Sequence, residues 1–94
     1  MTHNAQLEKT GQDTINQAKA EKHHARAAQH KLEAESAKDS DVKAYHEAEA
    51  LRETGKEEIK IGKIAQDEFL IQAGHEKKLA GETISRELEG KGKA

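Results

Sequence analysis

The sequence predicts an all-α protein of three to four helices in a loose, core-poor bundle, with room for partial disorder. Three observations predict it. The 94 residues contain no proline, the residue that most strongly breaks helices and that disordered segments favour. The bulk of the chain is Ala, Glu, Lys, Gln and Leu, the strongest helix formers. Of the apolar residues 15 are alanine and only 16 are larger, so little apolar surface opposes an ordering cost of about 1–2 kcal/mol per residue. No cysteine is present to staple the chain.

These numbers also bound function. A chain this short makes one domain, and with so few large side chains a deep, water-excluded pocket is not expected. No nucleophilic cysteine, no phosphate-binding glycine loop after a strand and no strand pattern are found, so the reading is of a protein that is not an enzyme and carries no cofactor. The start Met-Thr-His-Asn-Ala-Gln-Leu-Glu has no signal-peptide core, and no run approaches a membrane span. A soluble, cytoplasmic protein is expected, or a nuclear one in a eukaryote; the absence of cysteine fits a reducing compartment.

At 100° per residue, Leu7, Gly11, Ile15, Ala18, Ala25, Ala28 and Leu32 share an arc of about 140°. This predicts a long first helix from near residue 5 to near residue 37, packed through that alanine-rich face. Asp39, Ser40 and Asp41 read as a break with an N-cap, because their short oxygen side chains accept from free helical N–H groups. Val42, Tyr45 and Ala48 give a second helix a weak apolar side, and Gly55 is expected to bend or end it. Residues 59–71 hold the densest apolar stretch: Ile59, Ile61, Ile64, Ala65, Phe69, Leu70 and Ile71. Being apolar on two sides, it is expected to form the central helix and the core. Leu79, Ala80, Ile84 and Leu88 mark a last amphipathic piece before a frayed Gly90-Lys91-Gly92-Lys93 tail. The organisation is thus a hydrophilic extension over 1–50, a glycine-repeat region over 51–90 and a flexible tail over 91–94.

Charge is blocked in the first half. Lys19, Lys22, Arg26 and Lys31 face only Glu21 across residues 16–32, and an acidic block follows over 33–53. Two helices of opposite charge lying side by side would pair these blocks.

Gly55, Gly62, Gly74 and Gly81 are spaced 7, 12 and 7 residues apart. Heptad-spaced glycines share one helix face, and a mid-helix glycine costs about 1 kcal/mol relative to alanine. Three outcomes suit such a pattern: helix ends, close helix crossings, or retained looseness. A weaker third copy runs from Gly11 to Ala18.

The run Gly55-Lys56, Gly62-Lys63, Asp67-Glu68, Leu70, Gly74, Lys78, Gly81 resembles the signature of CsbD-like proteins over about residues 51–90. Where that pattern has Thr-Gly before the Asp, this chain has Ile64-Ala65-Gln66, which favours a continuous helix there. Residues 1–50 are similar to the hydrophilic extension of fungal relatives, some described as mismatched base-pair and cruciform DNA recognition proteins. The resemblance implies a small, helical, non-catalytic stress-response protein. The composition is also similar to that of hydrophilins and late-embryogenesis-abundant proteins, which act as protectants during water loss. Client proteins would then be the partners, with no identity or oligomeric state implied.

Lys19, Lys22, His23, Arg26 and His30 share an arc of about 100° and form a candidate nucleic-acid contact. This makes recognition of distorted DNA the alternative function, and a helical adaptor in a larger assembly a third. The six histidines suggest no metal site, because no two stand four residues apart as a helical metal pair requires. Solvent-exposed histidines are expected. Stable membrane insertion is not, since the apolar arc of the first helix is mostly alanine.

Overall fold

The computed structural model describes residues 2–93, with side chains from Ala5 to Lys91. The chain is all-α: α1 spans Thr2–Ser36, α2 Ser40–Ala65 and α3 Glu68–Lys93. It forms two successive antiparallel hairpins in a body 57 × 21 × 20 Å. α2 packs against both neighbours, while α1 and α3 do not meet among the described residues.

The break falls at 37–39 with Asp39 as the expected N-cap, while Ser40 and Asp41, expected within the break, already belong to α2. Asp39 is extended (φ −90°, ψ 131°) and its carboxylate accepts from the backbone N–H groups of Asp41 at 2.7 Å and Val42 at 3.2 Å. The expected continuous helix through 64–66 is not formed. Gln66 adopts the left-handed conformation (φ 55°, ψ 43°) and the Asp67 N–H closes on the Gly62 carbonyl at 2.9 Å. Asp67 then caps α3, its carboxylate accepting from the Leu70 N–H at 3.1 Å. This cap supplies the reason that the apolar segment 59–71 splits: its first half ends α2 and its second half begins α3. Of the seven apolar residues in that segment only Ile59 is buried, and Phe69 is 89% exposed.

The repeat glycines end no helix. Gly55 lies in the middle of α2, where a bend or cap was expected, and Gly90 to Lys93 continue α3 where a frayed tail was expected. Ala94 lies outside the described residues. Gly55, Gly62, Gly74 and Gly81 face the α2–α3 contact so closely that a Cβ on any of them would collide with the opposing chain. A Cβ on Gly81 would meet the Ala48 carbonyl at 2.5 Å, and one on Gly62 would meet Ile71 Cγ1 at 2.7 Å. The third copy is different, for a Cβ on Gly11 would meet nothing within 4 Å.

α1 packs through the face opposite to the expected one. Leu7, Gly11, Ile15, Ala18, Ala25, Ala28 and Leu32 are all exposed, whereas Asn16, Ala20, Ala27 and Ala34 are buried, with His23 and His30 half-buried between them. That inward set recurs at alternating steps of four and three, the spacing of a close antiparallel seam. The physical reason is the opposing surface. α2 presents Glu53, Glu57 and His46 to His23, His24 and His30, so the face carrying histidines finds partners, and small alanines between them allow close approach.

Candidate anion-binding groove

Glycine and lysine adjoin in the repeat, and a helix turns 100° between neighbours. With Gly55 and Gly62 pressed against α3, Lys56 and Lys63 must project to the side of that contact. They do, together with Lys60, into a groove along α2 that α1 and α3 flank. The groove is lined by His23, Lys56, Ile59, Lys60, Lys63, His75 and Lys78 and encloses about 300 Å³. Ile59 forms its apolar floor. The opposite face of α2 carries a mixed surface with Lys31, Glu47, Ala50, Leu51, Thr54 and Lys77, so the cationic character belongs to one side only.

Beneath the lysines lies one buried carboxylate. Glu53 is 5% exposed, and its Oε2 sits 2.6 Å from His23 Nδ1 while its Oε1 is 3.8 Å from Lys56 Nζ. Lys78 is 4.0 Å from Glu82 at the rim. Among the described residues no carboxylate pairs with Lys60 or Lys63. Burial, with Lys63, Lys19 and Lys78 close by, holds the Lys60 ammonium below its usual range. Like charges crowded without counter-charges are costly, and an anion among them recovers that cost. Lysine suits phosphate as a compact point charge on a flexible stem.

The basic stripe expected along α1 is divided by the fold. Lys19, Lys22 and Arg26 are exposed, and Lys19 stands close enough to act on Lys60. His23 turns inward to Glu53, and His30 turns to His46, their Nδ1 atoms 3.0 Å apart. His23 still lines the groove but is held by Glu53, and His30 lies outside it. The residues that join the groove instead are Lys56, Lys60, Lys63, Lys78 and His75. Three of these lysines stood in the family-like motif without an assigned contact, and the alternation of glycine with lysine was the available signal. Lys60 and His75 carried none. Other motif residues have structural places: the four glycines form the α2–α3 contact, Asp67 is a cap, Glu68 lies in the first turn of α3 and Leu70 is half-buried.

The fold and the groove together define an antiparallel three-helix protein with a lysine-lined groove along its middle helix. Comparison with known protein families, curated proteins and solved structures finds no match. Among the described residues no helix is long and apolar enough to cross a membrane.

Proposed function

We propose that this chain is a non-catalytic stress-response protein of the CsbD-like kind that grips the phosphodiester backbone of nucleic acid in the groove along α2. The observation that carries this reading is the convergence of Lys56, Lys60, Lys63 and Lys78 on one groove, where among the described residues no carboxylate pairs with Lys60 or Lys63. Such contacts carry no base readout, so selectivity would come from backbone shape. Distorted DNA, in which strands approach at a junction or mismatch, is the substrate that a short groove flanked by further cations at Lys19, Lys22 and Arg26 favours. Fluorescence anisotropy comparing a four-way junction with a linear duplex of the same sequence tests it. Tighter binding to the junction is expected, with a log–log salt slope of about −3 to −4 for four phosphates. Equal or absent binding at modest salt would reject the reading.

A second reading, a hydrophilic protectant of client proteins, is favoured by the exposed side chains Leu7, Leu32, Phe69 and Leu79, which offer apolar contacts to a client losing its hydration. It predicts better survival of a labile enzyme through drying than an equal mass of albumin provides. No difference would count against it.

A further inference from the structure

His30 and Glu33 lie one turn apart on α1, and His46 reaches them from α2 across the hairpin. We propose that these three residues bind a zinc ion. Their ligand atoms form a small triangle: His30 Nδ1 to His46 Nδ1 is 3.0 Å, His46 Nδ1 to Glu33 Oε2 is 3.1 Å, and His30 Nδ1 to Glu33 Oε2 is 4.0 Å. With zinc bonds of about 2.0–2.1 Å, a tetrahedron has edges of roughly 3.3 Å, which these separations bracket. Each neutral imidazole has one N–H for its two ring nitrogens. The His46 Nδ1 proton can satisfy Glu33 or His30 well, but not both, so the triangle holds more lone pairs than protons. One cation takes all three.

The surroundings orient the set. Gln29 Nε2 donates to Glu33 Oε1 at 3.0 Å, leaving Oε2 for the ion. That hydrogen bond, opposed by burial and aided by His46 and His30, keeps the Glu33 carboxyl below its usual range. Tyr45 sits edge-on to the His46 ring, 5.2 Å between centroids. Outer contacts of this kind fix ligand orientation in metal sites. All three ligands are half-buried, which leaves a fourth position for water and a path of entry. Two imidazoles and one carboxylate select zinc over magnesium or calcium, which prefer oxygen. Because the ligands come from both α1 and α2, the ion ties the hairpin beside its 37–39 connection, and the unfolded chain has no such site. The sequence hid it, since the ligand completing the pair stands 16 residues from His30 on another helix.

Calorimetric titration of the full chain with Zn²⁺ tests the proposal. One ion per chain with a Kd of about 10 µM or tighter is expected, with a higher melting temperature and no response to Mg²⁺. Co²⁺ in its place should give the visible absorption of a tetrahedral site. His46→Gln and His30→Gln should each abolish binding, while His24→Gln and His75→Gln leave it unchanged. Gln29→Ala, which keeps all three ligands, should weaken it by roughly ten-fold and covers the case in which a ligand variant fails to fold. No saturable binding below about 100 µM, or binding that survives loss of His30 and His46, would overturn the site.

Discussion

Gly55 and Gly74 occupy each other's missing side-chain space: a Cβ on Gly74 would lie 2.6 Å from the Gly55 carbonyl oxygen, and a Cβ on Gly55 would collide with the Gly74 carbonyl in return. The glycines are therefore the contact itself. Gly55→Ala and Gly74→Ala should each destabilise by about 1–3 kcal/mol, because backbone on the other side must move. Gly11→Ala meets open space and should stabilise by about 0.5–1 kcal/mol. Thermal melts of the three variants give opposite signs if the close crossing is real.

Gln66 pays for a left-handed conformation at φ 55° that a residue with a side chain adopts at a cost of about 1–2 kcal/mol. Gln66→Gly should stabilise by about 1 kcal/mol without altering helix content, read by urea denaturation and far-UV circular dichroism.

Lys60 makes a signed pH prediction. Its ammonium is held below the ordinary 10.5 chiefly by burial, then by neighbouring Lys63, Lys19 and Lys78. The unfolded chain therefore binds that proton more tightly. The resulting penalty is fully present at neutral pH and disappears as pH rises through the folded pKa towards 10.5. Lys60→Gln should raise the melting temperature at pH 7 by roughly 2–4 °C, with the advantage fading in the alkaline range. Inorganic phosphate should stabilise the wild type more than the variant.

His23 covers the buried Glu53 carboxylate. His23→Phe removes the partner at 2.6 Å, leaves Lys56 as the ion pair at 3.8 Å and should cost about 3 kcal/mol. His24 pairs with Glu57 at 3.0 Å, but its side chain is 72% exposed, so His24→Ala should change stability by less than about 0.5 kcal/mol. Chemical denaturation of the two variants separates the cases.

The helices and the first break were legible because their determinants are local. Asp39 caps through its own neighbours, and alanine, glutamate and lysine favour helix in any context. The face of α1 was not legible. Leu7, Ile15 and Leu32 form the more apolar arc, yet the arc bearing Ala20, His23, Ala27 and His30 is the one inside. Only the acids and His46 on α2 decide that, and no periodicity within α1 reports them. Gln66 was likewise misleading, since its identity argues for helix while the Gly62 carbonyl and the Asp67 cap select a turn. The groove was half legible: the glycine–lysine alternation was visible in the chain, but Lys60 and His75 join it only through packing.

By itself the sequence determined an all-α chain, the position of the first hairpin and a heptad spacing of glycines. Those follow from propensity, capping and the absence of side chains, which act within a few residues. The tertiary structure decided what each face meets. It set the glycines against opposing backbone, turned two histidines of a basic stripe inward and brought lysines from α2 and α3 beside one another. The reason is physical: charge clustering and close approach depend on groups distant in sequence becoming neighbours, and only the antiparallel packing of α1 and α3 on α2 makes them so.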